Sequence, residues 1–87
     1  MSVKILHLIR RMHDERAFDA ARYHRLQGYE TGLLLLHDAV LEAPSFSGPI
    51  FACKADVLAR NAPGTRSLVD YDGIVQLLME YDRVISW

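Results

Sequence analysis

The run "TGLLLLH", residues 31–37, is apolar on both of its faces. Side chains alternate along a strand, so a half-solvated strand would carry polar residues at every second position. Four consecutive leucines leave no polar side. Such a strand belongs at the centre of a parallel sheet that helices cover on both faces. That requirement organises the reading of the rest of the chain.

Strand and helix patterns alternate on either side of it. The opening "SVKILHLI" mixes β-branched and aliphatic residues and reads as a buried strand. "RMHDERAFDAARYHRLQG" follows as a helix, with Asp14 as N-cap, Glu15 in the first turn and Gly28 as the stop. Ala17, Phe18 and Ala21 share one of its faces, while Tyr23 and Leu26 lie on a different side. A helix packed only on a sheet has no use for that second patch.

A short helix is expected at about 38–42, capped by Asp38 and ended by the loop of Pro44, Gly48 and Pro49. "IFAC" is a third strand, "KADVLARN" a short helix closed by "NAPG", and "RSLVD" a fourth strand. "YDGIVQLLMEYD" is the best helix, capped by Asp70. Ile74, Leu77, Leu78 and Tyr81 make its apolar stripe, opposite Asp72, Gln76 and Glu80. "RVISW" is a short last strand. The alternation predicts one α/β domain over residues 1–87, a small three-layer sandwich with a mostly parallel sheet covered by helices.

Composition narrows the function. Apolar residues form 51% of only 87, a surplus that points to a partner surface. A net charge of −1 gives no electrostatic case for direct nucleic-acid binding. The arginines at 10, 11, 16, 22 and 25 are interleaved with Asp14, Glu15 and Asp19, as on a solvated helix face. The single cysteine excludes an internal disulfide and fits a reducing compartment. No signal-peptide pattern opens the chain, and "GLLLLH" is too short to cross a bilayer, so a cytoplasmic protein without membrane contact is expected.

No GxGxxG, GxxxxGK[ST] or GxSxG occurs, which removes the dinucleotide fingerprint, the P-loop and the hydrolase elbow; no cofactor is expected. None of the four histidines has a partner at ligand spacing, so no metal site is expected. His37 and Asp38 lie at the carboxyl end of the second predicted strand, the edge where open α/β sheets bind ligands. Cys53 lies at the end of the third strand, before a helix and beside Lys54. Helix amides and a neighbouring cation favour a thiolate able to carry a sulfane sulfur. Cysteine is equally a small buried apolar residue, and Phe51 and Ala52 beside it suit a core strand.

Three segments together resemble the TusB/DsrH family of small sulfur-relay subunits. They are "ILHLI" with "LLLLHDAVLEA"; "IFACKADVLARN", where Asp56, Ala59 and Arg60 match and Asn61 replaces Gly; and "LVDYDGIVQLLMEYDRVISW". In the last, Asp70, Tyr71, Val75, Leu77 and Trp87 occupy the family positions, with Ile74 in place of Phe. The resemblance implies a DsrE/F/H-like fold in a hetero-oligomer with TusC/DsrF-like and TusD/DsrE-like subunits. It implies persulfide traffic between sulfur-carrier proteins, ending in 2-thiolation of tRNA wobble uridine, or in dissimilatory sulfur oxidation in the Dsr branch. The first-helix cysteine frequent in that second branch is absent from "DAARYHR". The principal relay cysteine of such assemblies lies on the TusD/DsrE-like subunit, so the subunit type resembled here mainly completes the complex. Relatives more often carry an apolar residue at the position of Cys53. Tyr23, Leu26, Tyr71 and Trp87 are the expected interface residues. A persulfide carrier using Cys53 and a stand-alone homo-oligomeric binding protein are the alternatives.

Overall fold

The structure is a computed structural model and describes residues 3–62 and 67–87. Ser2 of the predicted first strand, Pro63 and Gly64 of the predicted helix stop, and Arg66 of the predicted fourth strand lie outside the described residues. The elements are β1 (Lys4–Ile9), α1 (Glu15–Leu26), β2 (Glu30–Leu35), a 3-10 turn (His37–Leu41), β3 (Ile50–Cys53), α2 (Lys54–Arg60), β4 (Ser67–Val69), α3 (Tyr71–Glu80) and β5 (Arg83–Ser86).

All strand pairs are parallel, in the order β4-β3-β2-β1-β5. The leucine run therefore occupies the middle strand, where Leu33, Leu34 and Leu35 are fully buried. From β1 to β4 the chain steps across the sheet in one direction. Right-handed crossovers then place α1, the 3-10 turn and α2 on one face. The return step from β4 to β5 places α3 on the other. The two core clusters follow this division. Ile9, Leu33, Leu35 and Ala52 meet Ala17, Phe18, Ala21, Val40 and Val57 on the first face. Leu6 and Leu34 meet Leu77, Ile74 and Tyr81 on the second.

Local chemistry ends the helices where the sequence predicts. Asp14 Oδ1 accepts from the Ala17 amide at 3.3 Å, and Asp70 Oδ1 from that of Gly73 at 2.8 Å. Gly28 (φ 92°) turns the chain out of α1, and Asn61 (φ 49°) turns it out of α2. Asparagine is the side chain that best replaces glycine in that left-handed conformation. Gly32 of β2 has a different reason. A Cβ there would stand 2.5 Å from the Tyr81 hydroxyl, so the phenol can lie across the central strand only because this residue is glycine.

One local expectation is corrected. The segment predicted as a helix at 38–42 is a five-residue 3-10 turn, and Asp38 does not cap it. Its N-cap position is Leu36, with no side-chain bond, and the free Ala39 amide reaches the Leu36 and Arg10 carbonyls instead. A segment this short gains its order from tertiary bonds rather than from a cap. Among the described residues, no helix is long and apolar enough to cross a membrane.

Candidate functional site

The carboxyl edge of the sheet gathers most of the residues singled out from the sequence. β3 ends at Cys53, which is also the N-cap position of α2, and its thiol is half-buried. α2 then places Asp56 and Arg60 one turn apart on the side facing the 3-10 turn. The Asp56 carboxylate accepts from the His37 amide at 2.9 Å and from Arg60 at 3.3 Å. Arg60 also reaches Asp38 Oδ1 at 2.9 Å. His37 and Asp38 are thus brought together with α2, in a network whose first effect is to fasten the end of β2. His37 takes a left-handed φ of 51° there, so the network holds a conformation that costs energy.

Desolvation pushes the Asp56 carboxyl up, but the His37 amide, a hydrogen bond with the Cys53 side chain and the charges of His37 and Arg60 outweigh it. Asp56 is held below the ordinary carboxylate value. It therefore stays ionised beside the Cys53 sulfur. On its other side Cys53 borders a groove of about 300 Å³ with Lys54, Leu58, Asp70, Tyr71 and Ile74. The groove wall is mainly apolar and offers the sulfur no histidine.

A second constellation lies inside the sheet–α1 layer, and sequence reading missed it. His7 of β1 is fully buried. Its Nδ1 lies 2.9 Å from Trp87 Nε1 and its Nε2 lies 3.0 Å from His24 Nδ1. An indole N–H only donates, so His7 Nδ1 must accept. The His7 proton is then on Nε2 and is donated to His24. The His7 ring stacks on both neighbours, with centroids 5.2 Å and 6.0 Å away. Burial, then the charge of His24, lower the His7 pKa from 6.5 to about 4. A neutral ring with both nitrogens used is a structural tie between β1, α1 and the C-terminal strand.

The expected interface residues divide between two situations. Leu26 (85%), Tyr71 (80%) and Tyr23 (60%) are widely exposed. Trp87 is half-buried and held inside the chain, its indole on His7, its amide on the Leu8 carbonyl and its own carbonyl on Arg10. Among the described residues, no group of three or more His, Cys, Asp or Glu side chains is placed to hold a metal ion. Comparison with family models, with curated proteins and with solved structures finds no match for this chain.

Proposed function

We propose that this chain is a non-catalytic subunit of a sulfur-relay assembly serving 2-thiolation of tRNA wobble uridine. The sequence resemblance to TusB/DsrH subunits supplies the pathway. The observation that carries the subunit role is the exposure of Leu26, Tyr71 and Met79, at 85, 80 and 81%, on a domain this small. The carboxyl-edge residues fit a supporting role as well. Asp56, Arg60, Asp38 and His37 hold one another, and Cys53 has a carboxylate for its neighbour.

Co-expression with TusC-like and TusD-like subunits from the same source tests the reading. A complex on gel filtration, and sulfane-sulfur loading found by intact mass on the TusD-like subunit but not on this chain, are expected. Failure of the three chains to associate would sink it.

The groove beside Cys53 favours one second reading, in which this thiol carries the persulfide. Loading of this chain by one sulfur atom, abolished by Cys53→Ser, would establish it over the first.

A further inference from the structure

The hydrogen-bond chain through Trp87, His7 and His24 runs in one direction only. An indole Nε1 has a proton to give and no lone pair to offer. At 2.9 Å from it, His7 Nδ1 must accept, which leaves the His7 proton on Nε2. At 3.0 Å from that proton, His24 Nδ1 must accept in turn. His24 therefore completes the chain only as a neutral ring with its own proton on Nε2.

A proton on His24 breaks this pattern. An imidazolium donates from both nitrogens, so His24 Nδ1 would meet the His7 Nε2 proton as donor against donor. A neutral His7 has one acceptor for two neighbours that both donate, and one bond must be given up. The bond from an imidazolium is charge-assisted and roughly twice as strong as the neutral bond from the indole. His24 is also seated among rings, stacked on His7 at 5.2 Å and touching Tyr23 and Tyr29 at 6.1 and 5.9 Å. Trp87 is only half-buried, and its backbone is fixed separately by the Leu8 carbonyl and Arg10. Its side chain can leave while the strand stays.

The surroundings do not cancel the charge. Among the described residues, no carboxylate lies within hydrogen-bonding distance of either imidazole. The other titratable groups against the chain are Tyr23 on α1, Tyr29 after it, and Arg10 on the Trp87 carbonyl. His24 is the ring charged first, since its charge is one of the causes that hold His7 down to about 4.

We propose that these residues form a proton-operated latch, in which protonation of His24 moves the His7 proton to its other nitrogen and releases the Trp87 indole. One proton enters from solvent. The His7 Nε2 proton passes to His24 Nδ1, and the solvent proton settles on His7 Nδ1 as the indole withdraws. Water takes the place of the indole and accepts from the new N–H. His7 stays neutral throughout, so the latch opens before that ring is itself charged. The latch stands apart from the subunit reading above.

The test follows the full chain by NMR from about pH 8 to pH 5, above the titration of His7. A single tryptophan gives a single indole N–H resonance. As His24 takes up its proton, that N–H should exchange with water about tenfold faster, the factor carried by one hydrogen bond of ordinary net strength. The ring-nitrogen shifts of His7 should pass from the Nε2–H to the Nδ1–H form with no gain of charge. His24→Gln keeps an acceptor on α1 at every pH and should hold the indole N–H protected throughout. A melting temperature close to that of the wild type shows the variant folded. An indole N–H that stays protected while His24 titrates overturns the proposal, because His24 has then turned away alone. So does a pH response that His24→Gln retains, or a His24 ring still neutral at the acid end of the titration.

Discussion

Between pH 6.5 and 4, acid should destabilise this protein through His7. Its ring is fully buried, spends both nitrogens on Trp87 and His24, and titrates at about 4 in the folded chain against 6.5 when free. The folded value is depressed, so folding favours the neutral ring. Above pH 6.5 neither state takes a proton and the term vanishes. As pH falls from 6.5 toward 4, the unfolded chain is protonated and the folded one is not, and stability is lost across that window. Two pH units at about 1.36 kcal/mol each, less the part of a proton that the folded ring itself takes up near pH 4.5, give a loss of about 2 kcal/mol. A domain of this length is stabilised by roughly 4–13 kcal/mol, so the loss should lower the melting temperature by ~10 °C or more.

Urea unfolding at pH 7 and pH 4.5 measures the quantity, for the wild type and for His7→Gln. The variant carries its own fixed cost, but the difference between its two pH values lacks the histidine term. The wild type should lose about 2 kcal/mol more than the variant between those pH values. Asp56 does not confuse the window. Its folded value lies below the usual 3.8, so the stability it contributes is present above 3.8 and lost only as pH falls through the lower folded value. An identical pH dependence for both proteins would refute the reasoning. So would an imidazole of His7 that titrates near 6.5 by NMR.

Arg60→Ala should cost about 1 kcal/mol in urea unfolding, because Arg60 is largely covered and joins Asp38 to Asp56; amide exchange should speed up over His37–Leu41. Gly48→Ala should cost about 2 kcal/mol or more, since its Cβ would stand 2.5 Å from the Thr31 carbonyl oxygen, and backbone cannot step aside as a side chain can. Asp14→Ala should cost ~1 kcal/mol by removing the α1 cap, with Asp14→Asn or Asp14→Ser nearly neutral on the same assay.

The leucine run of β2, the caps Asp14 and Asp70, and the stop at Gly28 could be read before the fold was known because each acts through neighbours in sequence. The 3-10 turn could not. Five residues carry too little periodicity, and its geometry is set by Asp56 and Arg60, some twenty residues away. Asp56 and Arg60 stood out only as matches to the family segment, and their grip on Asp38 and the His37 amide was not legible. The His24–His7–Trp87 chain depends on β1 lying between α1 and β5, a fact of strand order that no local pattern carries. A histidine inside an apolar strand was the visible signal, since a buried imidazole must find partners. Tyr23, Leu26 and Tyr71 were legible as surplus apolar surface, whereas Trp87 took an internal partner that only strand order could supply.

That same strand order bears on the association proposed above and on how large its contact would have to be. Among the described residues, α1, the 3-10 turn and α2 lie over one face and α3 alone covers the other. Covering Met79 or Tyr71 alone would gain roughly 1–3 kcal/mol each. Immobilising a partner costs about 4 kcal/mol at the least. The two together do little more than offset that cost, so the exposed arc of α3 by itself makes only a weak contact. A stable contact takes about 800 Å² from each side, close to 15% of the 5492 Å² accessible here, so it must extend from α3 onto the open sheet. Val84 then becomes the discriminating position, because it lies on β5 and outside the helix. Val84→Lys should weaken partner binding as much as Val75→Lys, with the folded stability of the exposed edge strand little changed. Full binding retained by Val84→Lys would mean that the partner grips the helix alone, against the area argument.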